Sequence, residues 1–178
     1  MDLEKLKYPI GKPQIPETIT AATIANWIAV LEAFPERLHD LVENLSEEQL
    51  NTRYRPEGWT IRQVIHHVSD SHHNSYTRFK WTLTEEQPLI KAYYEDRWAE
   101  LFDSKSAPIT LSINTLKALH EKWVYFLKGL STSDLEKEFI HPEGNEKVSL
   151  KENIGIYAWH CNHHYEHIYQ LLIRRGWK

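Results

Sequence analysis

Eleven histidines occur in the 178 residues of the chain, and eight of them fall in two short windows. His66, His67, His72 and His73 form the first window, and His160, His163, His164 and His167 form the second. The second window holds two pairs at i, i+4 spacing, His160/His164 and His163/His167. On a helix such a pair stacks two imidazoles one turn apart, close enough to bind one metal ion together. A third imidazole from the first window would complete a site of three neutral ligands on a dication. Three protein ligands leave at least one coordination position open, whereas structural zinc sites are closed by four. An open position takes water, whose pKa the ion can draw toward about 7, or a thiolate that can be delivered as a nucleophile. Imidazole suits zinc, nickel, iron or copper, so donor type alone does not select the metal.

An α-helix turns about 100° per residue, which allows the faces to be assigned. With His164 at zero, Tyr157, His160, Ile168 and Leu171 lie within roughly 40° and Ile154 and Leu172 within roughly 80°. His163, His167, Gln170 and Arg174 gather on a neighbouring polar stripe. His160 and His164 therefore share the apolar face, and His163 and His167 are expected at its edge or in solvent. In the first window, His66 points away from the apolar stripe. His67 shares a polar strip with Ser71, Asn74 and Arg78, and His72 lies within the apolar stripe. The geometry leaves both His67 and His72 open as the third ligand.

Four long helices are expected to carry these residues. The first spans about Thr20 to Asn44, where Ile24, Trp27, Ile28, Leu31 and Phe34 follow helical spacing and Pro35 should introduce a kink. The second is announced by Thr60 and Gln63, a T-x-x-Q capping box, and runs to about Thr84. The third covers about Leu111 to Leu130, with Leu116, Leu119, Trp123, Phe126 and Leu127 on its core face. The fourth follows the Ser149/Glu152 capping box and stops near Arg174, before Gly176. Residues 1–19, with three prolines, read as an extended arm lying on the domain, and residues 85–110 read as a long crossover. Residues 45–58 (LSEEQLNTRYRPEG) and 130–144 (LSTSDLEKEFIHPEG) resemble each other, and each precedes a capped, histidine-bearing helix. Either this is convergent loop chemistry or the chain is two similar helical hairpins. Two hairpins must pack on each other to bury their apolar faces, giving a single all-α domain over 1–178, an antiparallel four-helix bundle.

The segments GWTIRQVIHHVSDSHHNSY (residues 58–76) and WHCNHHYEHI (159–168) resemble the DinB/YfiT-like superfamily, most closely its YfiT branch of metal-dependent hydrolases. The likeness extends from YPIG at residues 8–11 to GW at 176–177. The resemblance implies a four-helix bundle with a long crossover and a three-histidine site. The family's H-[aliphatic]-x-D element falls on His67-Val68-Ser69-Asp70, and its H-x-x-x-H pair falls on His160 and His164. It thus favours His67 over His72. It also implies one zinc or nickel ion per chain and a homodimer, for which the sequence offers Tyr93, Tyr94 and Trp98 in the crossover as contact candidates.

No H-E-x-x-H glutamate is present, because Cys161 follows His160. Asp70, one turn from His67, is the candidate to orient that imidazole or to act as a base. Asn74 and Arg78 are candidates for binding a polar small-molecule substrate. Glu166 points away from the ligands, and Cys161, Trp59 and Trp159 read as packing residues. Three functions are compatible with this set: metal-dependent hydrolysis, transfer of a low-molecular-weight thiol of the bacillithiol type to an electrophile, or a non-enzymatic metal-binding stress-response bundle. The open site weighs against the third. A formal charge of −4 without a long basic run argues against a nucleic-acid partner. The chain has no apolar run of roughly 18 residues for a membrane and no signal-peptide pattern. A single cysteine, Cys161, suits a reducing cytoplasm.

Overall fold

A computed structural model describes residues 2–178. In chain order the elements are α1 (Leu3–Lys7), α2 (Ala21–Val42), α3 (Glu47–Leu50), α4 (Ile61–Thr84), α5 (Glu95–Trp98), α6 (Phe102–Ser106), α7 (Ile109–Lys128), α8 (Thr132–Leu135), β1 (Glu138–His141), β2 (Glu146–Ser149) and α9 (Leu150–Arg175). The four long helices α2, α4, α7 and α9 form a four-helix bundle.

The helix ends are set by the side chains that the sequence marks. Thr60 accepts from the Gln63 backbone while the Gln63 side chain accepts from the Thr60 N–H, and Ser149 and Glu152 close the same reciprocal box on α9. Gly176 ends α9 at φ 64°, a left-handed conformation that glycine reaches without a Cβ penalty. Pro35 does not interrupt α2, which continues to Val42. Leu31, Phe34, Ile61, Ile65, Leu116, Trp123, Ile154 and Ile168 are buried between the four helices.

Packing around the bundle runs α2, α7, α4, α9 and back to α2. The two helices of each repeat therefore sit at diagonal corners, and the walls are made between repeats. This order puts α4 and α9, the two histidine-bearing helices, side by side. The repeat itself is visible locally. Ser46 and Gln49 cap α3 with one box, and Ser131 and Asp134 cap α8 with another. An antiparallel bridge then joins Arg53 to Thr60 in the first copy and Glu138 to Ser149 in the second, each just ahead of a bundle helix.

Three segments are more ordered than the sequence patterns indicate. The arm opens with the short helix α1, and the crossover contains α5 and α6. Residues 138–149 form a β-hairpin, whose turn places Gly144 at φ 74° and Asn145 at φ 52°. The crossover also pairs with this hairpin, since Ile90 N–H donates to Ile140 O and Ile140 N–H donates to Pro88 O. The arm then runs antiparallel along α9. Lys7 O accepts from His167 Nε2, the Tyr8 ring packs on His163 at 5.9 Å, Gly11 O accepts from Trp159 Nε1, and Ile15 lies against Gly155.

Candidate metal centre

Helix α4 supplies His67 and α9 supplies His160 and His164. One ring nitrogen from each of the three lies within 4.8 Å of the others. The Nε2 atoms of His67 and His160 are 3.3 Å apart. Two nitrogens held 2.0–2.1 Å from a tetrahedral zinc would be about 3.3 Å apart, so the spacing already fits an ion. His72, the alternative third ligand, is fully buried and instead bonds to His160.

Two chains of hydrogen bonds determine which nitrogens are free. His120 Nδ1 lies 2.7 Å from Leu31 O, and a carbonyl can only accept, so Nδ1 carries the proton. Burial pushes the His120 pKa down to about 4, so at neutral pH the ring is neutral and its Nε2 is an acceptor. His72 Nδ1, 2.7 Å away, must donate to it. Burial keeps His72 neutral as well, so its Nε2 accepts from His160 Nδ1 at 3.0 Å. The Nε2 of His160 is thereby left as a bare lone pair. A second, shorter chain does the same for His164. Lys7 O accepts from His167 Nε2 at 2.9 Å, His167 Nδ1 accepts from His164 Nδ1 at 3.4 Å, and His164 Nε2 is left free. The residues therefore fit a dication: two backbone carbonyls, acting through buried histidines, leave lone pairs on His160 and His164 in a cluster whose ring nitrogens lie within 4.8 Å of one another.

His163 and His167 are not at the edge of the bundle. They are buried, because the arm and the 54–59 loop cover their stripe: Tyr54 of the loop stacks on His167 at 4.0 Å, and Tyr8 of the arm packs on His163 at 5.9 Å. His163, His164 and His167 also lie close enough to hold an ion, but the His164–His167 contact already occupies both Nδ1 atoms. His66 is likewise buried, with Nδ1 2.7 Å from Ser112 Oγ and Nε2 donating to Ala107 O, and so pins α4 to the start of α7.

The three histidines lie beneath a cleft of about 510 Å³. Its walls are the arm (Lys7, Tyr8), the 54–59 loop with Trp59, the crossover (Tyr93, Glu95, Asp96) and the hairpin (His141, Glu143). Trp59 packs on His67 with centroids 4.5 Å apart. A polar seam between α4 and α9 continues from the cluster, with Ser71 and Tyr157 hydroxyls 3.3 Å apart and Asn153 Nδ2 donating to Ser75. Of the polar candidates, Arg78 lines the cleft, while Asp70 and Asn74 do not. Asp70 has no hydrogen bond to His67. Its carboxyl pKa is raised to about 6, first by burial and then by Asp103 on α6. Asn74 donates to Asp70 O, one turn back on its own helix. Tyr93 turns into the cleft and Tyr94 and Trp98 stay exposed, so two of the three crossover aromatics remain for an interface. Cys161 is fully buried, and Glu166 accepts from Gln170 outside the cleft. No helix among the described residues is long and apolar enough to cross a membrane.

Comparison with known proteins identifies the family and the fold. Residues 30–168 match the family model described as the DinB superfamily. A protein of Oceanobacillus iheyensis named "putative metal-dependent hydrolase" is 48% identical over 171 residues, covering 96% of this chain and 98% of that protein. One of the same name from Bacillus mycoides is 48% identical over 175 residues, covering 98% and 100%. The solved structure of YfiT from Bacillus subtilis is described as "a probable metal-dependent hydrolase with an unusual four-helix bundle topology". It superposes with a TM-score of 0.96 at 44% identity, over 98% of this chain and 99% of that one. With the match spanning most of its length, the chain belongs to the DinB superfamily.

Proposed function

We propose that the protein is a hydrolase that depends on one divalent transition metal ion per chain, zinc or nickel, held by the Nε2 atoms of His67, His160 and His164. The observation that supports this best is the pair of carbonyl-anchored histidine chains, which leave the Nε2 atoms of His160 and His164 without protons beside His67. When bound, the ion supplies a Lewis acid that polarises a carbonyl and lowers the pKa of water toward about 7. The protein does the rest. Trp59, Tyr8 and Tyr93 shield the cleft, and the seam at Ser71 and Tyr157 presents hydroxyls to a substrate's polar groups. Asp70 does not line the cleft and is given no part as base in this scheme.

A second reading is favoured by that same absence. Among the described residues, the acids lining the cleft, Glu57, Glu95, Asp96 and Glu143, are all exposed, and none is buried beside the histidines. Transfer of a small thiol to an electrophile needs no carboxylate base, since a metal ion deprotonates a coordinating thiol. One assay separates the two. Ester, amide and lactam substrates are offered to the zinc- or nickel-loaded protein with and without added thiol. Product without thiol supports hydrolysis; product only with thiol supports transfer; neither, with the ion still bound, leaves a sequestering bundle. We also propose a cytoplasmic homodimer. The free, buried Cys161 suits a reducing compartment, and exposed Trp98, Leu101 and Phe102 in the crossover suit a contact between copies.

A further inference from the structure

Two arginines are buried among the described residues, and they are treated differently. Arg62, 2% exposed, is fully engaged: it donates to Ala107 O at 2.7 Å, to Asn51 Oδ1 and to Glu47 Oε2. Arg78, 8% exposed, has a buried Nε with no hydrogen-bond partner, and its guanidinium enters no ion pair among the described residues. A nearly buried cation left unpaired is costly, and such groups are retained where a ligand supplies the missing partner. Arg78 lines the same cleft as the three histidines. It lies 11 residues beyond His67 on α4, on nearly the same face, so their Cα atoms are about 16 Å apart along the axis. Helical side chains lean toward the N-terminus, which directs the guanidinium back along the seam toward Ser71.

We propose that Arg78 binds a carboxylate carried by the substrate, anchoring it at the far end of the cleft while its reacting group lies over His67, His160 and His164. This rests on the reading of the cleft as the substrate site and names the class of substrate. The planar guanidinium matches a carboxylate through two parallel N–H···O bonds. A dianionic phosphate fits less well, because Arg78 is a single buried donor and Glu57, Glu95, Asp96 and Glu143 line the same cleft, against only Lys7 and Arg55 as further cations. Those four acids are exposed, and a swing of one of them onto Arg78 is the competing explanation.

The test measures binding of glutarate, its neutral diamide and inorganic phosphate by calorimetry and thermal shift. It uses wild type, Arg78→Gln and Arg78→Lys, each with the metal loaded and after chelation. Glutarate is expected to bind wild type in both forms and the diamide to bind at least 10-fold more weakly. Arg78→Gln should lose at least 10-fold in glutarate affinity, and Arg78→Lys should recover only part of it. Glutarate affinity unchanged in Arg78→Gln, no response of wild type at tens of millimolar, or tighter binding of phosphate would each overturn the assignment. Because the chelated protein is measured too, failure of the metal reading appears separately, as absent metal uptake with the anion result intact. A second measurement guards against a purely structural Arg78. Arg78→Met should raise the melting temperature of the empty protein by a few degrees, and a fall would overturn the proposal.

Discussion

The chain Leu31–His120–His72–His160 makes an expectation that no direct ligand mutation can test. His120 does not touch the proposed ligands, yet its Nδ1–H bond to Leu31 O sets every proton position up to His160 Nε2. Replacing His120 with Phe leaves the buried His72 Nδ1–H without an acceptor, a loss worth about 1–3 kcal/mol. His72 can recover by moving its proton to Nε2, but that atom then faces the His160 Nδ1–H at 3.0 Å, donor against donor. Relief comes when His160 moves its own proton to Nε2, which blocks the atom that would hold the ion. Loss of such supporting contacts costs roughly 10- to 100-fold in metal affinity. The same range is expected for His72→Leu, which removes the acceptor directly. Since the two residues act in series, the double variant should be no worse than His72→Leu alone, a strongly non-additive result. His66→Ala is the control, because His66 is equally buried and doubly bonded but lies off the chain. It should lose stability and keep metal affinity. Competition against a chromophoric chelator at pH 7 gives the affinities, and nitrogen-15 NMR of the histidine side chains reports the tautomers. Wild-type affinity in both His120→Phe and His72→Leu, with His160 still protonated at Nδ1, would refute the reasoning.

Other consequences concern stability and assembly. The Asp70 carboxyl, at about 6 in the folded protein against 3.8 ordinarily, holds its proton more tightly when folded, so its stabilising contribution is complete below about pH 4 and is lost as pH rises to 6. Asp70→Asn should therefore be more stable than wild type at pH 7–8, by about 1 kcal/mol after allowance for solvent access, and no more stable at pH 4. Thermal melts across this range decide it, and a destabilised variant at pH 8 would contradict it. At Gly155 an added Cβ would lie 2.8 Å from the Trp27 ring and 2.9 Å from Ile15 Cδ1. Gly155→Ala should thus destabilise by about 1–3 kcal/mol in chemical denaturation, despite the helix preference for alanine of about 1 kcal/mol. Phe102, 83% exposed in the crossover, should matter to assembly, so Phe102→Glu should shift a dimer toward monomer in light scattering.

Much of this architecture is readable from local sequence. The Thr60/Gln63 and Ser149/Glu152 boxes and Gly176 mark helix ends because capping needs only neighbouring residues. His160 and His164 can be assigned to one inward face because helical periodicity places Tyr157, Ile168 and Leu171 beside them. His163 and His167 were expected toward solvent for the same reason: periodicity within α9 carries no information about the arm that lies over it. The arm's contacts at Lys7, Tyr8, Gly11 and Ile15 fall on His167, His163, Trp159 and Gly155, which follow one another at four-residue intervals along α9. The β-hairpin is not legible in the sequence because its strands are four residues each and do not alternate cleanly, although Gly144-Asn145 is a turn pair. The Asp70 side chain could be placed one turn from His67 but not aimed, since its environment comes from α6, distant in sequence.

The central claim is that His67, His160 and His164 hold one ion, the protons of His160 and His164 being directed away from it. It is tested most directly by elemental analysis and X-ray absorption on the protein reloaded with zinc. About one ion per chain is predicted, with three imidazole nitrogens at roughly 2.0–2.1 Å. His67→Ala, His160→Ala and His164→Ala should each abolish retention, while His163→Ala keeps it. Retention of the ion in all three ligand variants, together with its loss from His163→Ala, would contradict the account.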